Sequence, residues 1–181
     1  MLLEKDKSGL LLIDMQEKLT PLVQKSKVLV ERCQWLMSLA AQLSIPLLVS
    51  EQYPKGLGFT VEPLRSFVPQ NKVIEKVDFS CFRVPEFKQV LATLNKTQFV
   101  LIGIETHVCV LQTALDLKKA GYEVFVVVDA VSSRFEIDYR YGLKRMKQAG
   151  VELVTAEMVF FEWVGQAGTE QFKALSKAYF S

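Results

Sequence analysis

Apolar positions along this chain fall into short runs that are apolar throughout and longer stretches apolar at every third or fourth position. The run Leu10–Asp14 (LLLID) predicts a buried strand that ends on a carboxylate. Val28–Leu43 places Val30, Cys33, Trp35, Leu36, Leu39, Ala40 and Leu43 at helical spacing, and Ser44-Ile45-Pro46 stops that helix. Pro46–Ser50 predicts a second strand, and Glu51–Val61, with Pro54, Gly56 and Gly58, a loop. Lys72–Val77 reads as a third strand. Pro85 suits the first turn of a helix whose inner face is Phe87, Val90, Leu91 and Leu94. Phe99–Ile104 is a fourth strand, followed by a helix from His107 to Ala120 that Gly121 closes. Val124–Val128 (VFVVV) is the fifth strand and the clearest. A helix over Ile137–Ala149, a strand over Val151–Val154 and a helix over Thr169–Ala178 complete the chain.

Strands that are apolar at every position belong to parallel sheets covered on both faces. Such strands separated mainly by helices predict a three-layer α/β/α sandwich around a six-stranded, mainly parallel sheet. No repeat, low-complexity tract or linker interrupts the pattern, so residues 1–181 are read as one domain, a normal size for one.

Composition narrows the partners. Half the residues are apolar and 23% charged, which excludes a disordered chain. A net charge of +2, with no basic run among aromatics, predicts no nucleic-acid partner. The longest apolar runs are of strand length, which predicts no membrane partner, and the first residues, MLLEKDKSG, carry no readable signal peptide. Three cysteines without CxxC spacing make no disulfide framework. The expectation is a reduced, soluble, cytoplasmic protein.

Open α/β sheets bind ligands beyond the carboxyl ends of their strands. Asp14, Ser50-Glu51-Gln52, Lys76, Glu105–Cys109 and Asp129 occupy those ends and are the first suspects. No GxSxG elbow, phosphate loop or complete dinucleotide fingerprint is present; Gly56-Leu57-Gly58 lacks its third glycine. With one histidine in the chain, a metal site built from several His or Cys ligands is not expected, and no cofactor is called for. His107 lies two residues before Cys109, and helix positions two apart point in different directions, so it is a poor base for that thiol. A cysteine at a helix start would have its pKa lowered by the helix dipole and by a nearby ammonium, with a carboxylate collecting the proton. Asp14 and Lys76 are the candidates for those roles. Against this stands the plainer reading of Cys109 as a small residue packing helix on sheet.

The segment FVLIGIETHVCVLQTALDLKKAGYEVFVVVDAVSSR resembles the core signature of the isochorismatase-like cysteine hydrolases, with the nucleophile at Cys109. LLLIDMQEKL resembles that family's first strand, whose aspartate is the general base, here Asp14. VIEKVDFSCF resembles the stretch carrying its lysine, here Lys76. The similarity runs from about Ser8 to Val154 in the right order, and SEQYPKGLGFTVEPL and FFEWVGQAGTEQFKALSK are similar to the compact isochorismatase domain-containing subgroup. The resemblance implies a cis peptide at Ile104–Glu105 and an oxyanion hole of the Glu105 and Cys109 N–H groups. It also implies a homo-oligomer. Nicotinamidases of the family hold a metal through an aspartate and two histidines, which this chain lacks. Isochorismatases proper commonly lack the cysteine, so Cys109 points to acyl transfer.

Other residues carry plainer readings. Asp129 is read as a structural hydrogen-bonding group, Cys33 as packing, Cys81, five residues after Lys76, as ordinary burial ahead of an edge of the pocket, and His107 as a helix-start residue with a satisfied ring. Gln16, Tyr53, Phe79 and Phe82 are candidates to line a cavity for a small-molecule substrate, in even competition with core packing. Val159–Trp163 (VFFEW) is read as either interface or core. The expected activity is a metal-independent hydrolase acting on a small amide or related acyl compound. The alternative is a binding or assembly protein that keeps the fold with little turnover.

Overall fold

The computed structural model describes residues 1–68 and 73–180, so the third strand's expected start at Lys72 lies outside the described residues. Six strands form one sheet: β1 (Ser8–Ile13), β2 (Leu47–Gln52), β3 (Val73–Lys76), β4 (Gln98–Ile104), β5 (Glu123–Ser132) and β6 (Glu152–Val154). Their order is β3-β2-β1-β4-β5-β6 and every pairing is parallel. The helices are α1 (Ser26–Gln42), α2 (Pro54–Leu57), α3 (Glu62–Arg65), α4 (Pro85–Thr93), α5 (Leu111–Lys119), α6 (Glu136–Gln148), α7 (Ala156–Val164) and α8 (Glu170–Phe180).

Two cores explain why the strands are apolar throughout. Side chains alternate across a strand, so Leu10 and Leu12 of β1 join α1, α7 and α8 on one face. Leu11 and Ile13 join α4, α5 and α6 on the other. Each face is covered, and neither has a polar stripe. The expected three-layer sandwich is the observed architecture, with the sheet wholly parallel.

Several elements differ from the sequence reading. The loop expected over Glu51–Val61 holds the short α2, and β2 extends to Gln52. Strand β5 continues past Val128 to Ser132, because β4 and β5 slip register between Leu101 and Gly103 and then resume pairing. Asp129 thus lies within the strand; it accepts a hydrogen bond from Ala156 N (2.8 Å) and pairs with Arg32 (3.3 Å). Its role there is to dock α7. The Val159–Trp163 segment is part of α7, with Val159, Phe160 and Trp163 buried and Phe161 half exposed, its ring stacked on Phe180. The Trp163 indole N–H donates to Ser8 Oγ (2.9 Å), tying α7 to β1.

The winding direction reverses between β1 and β4, where the chain leaves one side of the sheet and restarts on the other. Such a switch point opens a crevice at the carboxyl ends of the two strands. Gly103 makes the approach close there: it pairs with Ile13, has φ +112°, and a Cβ on it would lie 2.1 Å from Ile13 O. Only glycine allows both the close approach and that backbone conformation. Asp14 and Glu105, the residues after β1 and β4, both leave the sheet at this end.

Candidate active site

Asp14 follows β1 and is fully buried, with φ 50°. Ser50, at the β2 position paired with Ile13, donates its hydroxyl to Asp14 Oδ1 at 2.7 Å. The Lys76 ammonium, from the last residue of β3, donates to Asp14 Oδ2 at 2.7 Å. Both side chains of this ion pair are almost wholly shielded from solvent. Lys76 also donates to Gln52 Oε1 and to Phe79 O (3.1 Å). An ammonium has three N–H donors, and all three have acceptors.

Cys109 sits at 7% exposure in a wide π-type turn, Thr106–Val110, which leads directly into α5. The peptide bond before Glu105 is cis. The Glu105 carboxylate accepts from Arg134 N (3.1 Å) and Arg134 Nε (3.2 Å). Its side chain is thus engaged away from Cys109. His107 Nδ1 meets Ser133 Oγ at 2.9 Å, so the ring is held by the residue that follows β5. Helix α6 lies close on this turn: a Cβ on Gly142 would be 3.1 Å from His107 Cα.

The expected lowering of the Cys109 pKa is corrected here. Burial pushes the thiol up, the nearby Asp14 carboxylate pushes it further, and the Lys76 ammonium only partly offsets them. The helix start and the ammonium favour the thiolate, but desolvation disfavours it and is the larger effect here. Lys76 has its pKa raised: burial opposes its charge, but the Asp14 carboxylate outweighs burial. Burial and Asp14 thus favour the neutral thiol beside the Asp14–Lys76 ion pair.

Cys81 is buried between these groups. Its N–H donates to Thr113 Oγ1 (3.0 Å), and its thiol pKa is raised by burial and by Asp14, with Lys76 and a hydrogen bond with Ser50 acting the other way. Gln16, read as a cavity residue, is instead fully buried: its amide accepts from Gln52 N (2.7 Å) and donates to Gln52 O (2.9 Å) and Gly58 O (2.7 Å). Phe82 is turned into the core, edge-on to Tyr122 at 6.2 Å. Tyr53 and Phe79 are each about half exposed at the β2 and β3 ends. Tyr53, Lys76, Val77 and Pro85 help to line an open cleft of ≈ 350 Å³. Another hollow, ≈ 330 Å³ and lined by Gln24, Asp129, Ser132 and Tyr139 among others, contains none of Asp14, Lys76 and Cys109. Among the described residues no group of three or more His, Cys, Asp or Glu could hold a metal ion, and no helix is long and apolar enough to cross a membrane.

The isochorismatase domain family matches residues 8–158, and the chain belongs to that family. Membership supports a hydrolase-type function. Mouse isochorismatase domain-containing protein 2A is 40% identical over 174 residues, covering 95% of this chain and 82% of the mouse protein. The solved structure of MAR1 ribonuclease from Caenorhabditis elegans superposes with a TM-score of 0.92 at 37% identity, covering all of this chain and 93% of that one. The YcaC gene product of Escherichia coli, described as an octameric hydrolase of unknown specificity, gives a TM-score of 0.92 at 26% identity, covering 99% of this chain and 91% of that one.

Proposed function

We propose that this chain is a metal-independent cysteine hydrolase that cleaves a small amide or related acyl compound through a thioester on Cys109. The observation that carries this reading is the buried Asp14–Lys76 ion pair together with the buried Cys109 thiol at the carboxyl ends of the strands. Asp14 takes the thiol proton as sulfur attacks the carbonyl carbon. The Glu105 and Cys109 N–H groups receive the oxyanion, and removing one such donor costs about 3–4 kcal/mol of transition-state stabilisation. Collapse of the tetrahedral adduct breaks the C–N bond, and Asp14 returns its proton to the leaving amine. Water, deprotonated by Asp14, then attacks the thioester and releases the acid and the thiol. Tyr53 and Phe79, exposed at the strand ends, are the groups offered to a small-molecule substrate. Three free, buried cysteines suit a reducing cytoplasm.

The deciding experiment screens amides and ureides against the wild type and Cys109→Ala. Hydrolysis by the wild type alone, with an electrophile labelling Cys109 stoichiometrically, supports the hydrolase. Absence of turnover across the library, with labelling no faster than at Cys33, favours a second reading: a binding or assembly protein, consistent with the near-complete burial of Cys109. The name of the C. elegans relative puts RNA in the same screen. The octameric E. coli relative supports a homo-oligomer. Light scattering that found only monomers at micromolar concentration would reject self-association.

A further inference from the structure

The hydrolase reading gives Lys76 a charge to hold but does not say what holds the lysine. Its ammonium has three partners, and they differ in kind. Asp14 supplies a carboxylate at 2.7 Å and Phe79 a backbone carbonyl at 3.1 Å. The third is the side-chain oxygen of Gln52.

Gln52 is itself pinned from both ends. Its side-chain N–H donates to Val77 O (2.8 Å), so the amide's orientation is set by one donor and one acceptor contact. Its backbone N–H and C=O are both engaged by the buried amide of Gln16. Gln16 reaches Gly58 O as well, anchoring the segment between β2 and α3 to the residues after β1. Two hydrogen bonds thus hold the Gln52 side chain, and two more hold its backbone. Of these contacts, that of the Gln52 side-chain oxygen is the one that meets the ammonium, and the others fix where that oxygen sits.

We propose that Gln52 is a positioning residue of the site: by accepting the third N–H of Lys76, it keeps that ammonium from hydrogen-bonding to the Cys109 sulfur, so that Lys76 acts on the nucleophile by charge alone. The consequence is chemical. In the proposed mechanism the thiol proton goes to Asp14 and then to the leaving amine. A thiolate already paired with Lys76 at rest would have lost that proton to solvent before substrate arrived. Gln52 keeps the proton in store.

The charged and titratable groups around Cys109 are Asp14 from β1, Lys76 from β3 and Cys81 from the turn before α4. In its own turn, Glu105 is paired with Arg134 and His107 is hydrogen-bonded to Ser133. None of these contacts involves Gln52 except that of Lys76.

The test is Gln52→Met, which keeps the side chain's length and removes the acceptor. Iodoacetamide labelling of Cys109 across pH should shift to lower pH, with labelling near pH 7 several-fold faster than in wild type. Turnover at the same pH should fall about tenfold, with KM little changed, and recover toward lower pH. A residue with only a structural role would lower both rates together or neither. Gln52→Glu keeps an acceptor and adds a negative charge beside Lys76, so its labelling profile should shift to higher pH; it serves as the test if Gln52→Met does not fold. An unchanged or slower profile in Gln52→Met overturns the proposal, as does a Gln52→Glu profile that moves to lower pH.

The inference rests on the cysteine-hydrolase reading, and Lys76→Met separates the two failures. If that variant leaves labelling of Cys109 unchanged, the hydrolase reading falls. If it slows labelling while Gln52→Met does not accelerate it, only the role of Gln52 falls.

Discussion

Lys76 and Asp14 meet at 2.7 Å with their side chains 0% and 1% exposed, an ion pair sealed inside the protein at the ends of β3 and β1. Burying two charges costs several kcal/mol each, and their attraction repays it only when the remaining hydrogen-bonding positions are filled. They are filled here: Ser50 holds the other carboxylate oxygen, and Gln52 and Phe79 hold the ammonium. Three acceptors aimed at one ammonium fix its place beside Cys109. That arrangement leads to opposite expectations for its two members.

Asp14 raises the Cys109 pKa and Lys76 lowers it. Lys76→Met should therefore slow iodoacetamide labelling of Cys109 at neutral pH, whereas Asp14→Asn should accelerate it. Both should lose turnover, the first by losing the cation and the second by losing the base. Each single change also strands a buried charge and should destabilise the fold by about 3–5 kcal/mol, while the double variant should recover part of that loss. Denaturant titration and labelling on the same samples check both statements. Identical labelling profiles in wild type and both variants would mean that the pair does not act on the thiol.

Metal dependence is the next expectation. Hydrolysis by the wild type should survive exhaustive chelation, because the proposed steps use only Asp14, Lys76, Cys109 and two backbone donors. If chelation abolished activity and zinc or iron restored it, the metal-independent mechanism would be wrong.

Gly142 supplies a test of how finely the nucleophile's turn is placed. An added Cβ would lie 3.1 Å from His107 Cα and 3.2 Å from Thr106 O, so α6 or the turn must yield by a few tenths of an ångström. Alanine is favoured over glycine within a helix by about 1 kcal/mol, which offsets part of the crowding. Gly142→Ala should therefore change stability by no more than about 1 kcal/mol. Turnover should fall about tenfold, since small displacements of a reacting group are costly to rate. A variant with wild-type turnover and wild-type labelling of Cys109 would show that the turn tolerates the shift.

Much of this was readable from sequence, for identifiable reasons. Leu10, Leu11, Leu12 and Ile13 face two different cores, so β1 is apolar throughout and could be read as a buried parallel strand. Strand-end position made Asp14, Lys76 and the Glu105–Cys109 turn suspects among several, and the resemblance to the isochorismatase-like hydrolases singled out Asp14, Lys76 and Cys109. Helix α7 was missed as a helix: Val159, Phe160, Phe161, Trp163 and Val164 are apolar nearly all round, which leaves no helical period to detect. Ser50 and Gln52 were suspects by position, yet their partners lie on other strands, and no spacing rule predicts which carboxylate or ammonium a side chain will meet. The direction of the Cys109 pKa was misread for a related reason. A helix start is visible in sequence, but burial beside a carboxylate is not.

The three thiols also leave a signature in global stability. Cys33, Cys81 and Cys109 all have pKa values raised by burial. In the unfolded chain a thiol ionises near pH ~8.5. A group whose folded pKa is raised contributes its stability fully below the unfolded value and loses it as pH rises toward the folded one. Stability should therefore be flat in these thiols up to about pH 8 and then decline between about pH 8.5 and 10. Each thiol contributes up to about 1.4 kcal/mol per pH unit over that window. The Lys76 ammonium, raised from a model-peptide value near ~10.4, enters only above it. Cys33 is the cleanest probe, since it is fully buried on α1's inner face, lies away from Asp14 and Lys76, and has its thiol on Ala130 O at 3.7 Å. Cys33→Ala should lose some stability at every pH through the small void it leaves, but its decline above pH 8.5 should be shallower than that of the wild type by about one thiol's share. Guanidinium denaturation at half-unit steps from pH 7 to 10 reads the slope directly. Equal slopes in the two proteins would show that Cys33 ionises as readily folded as unfolded, against its complete burial.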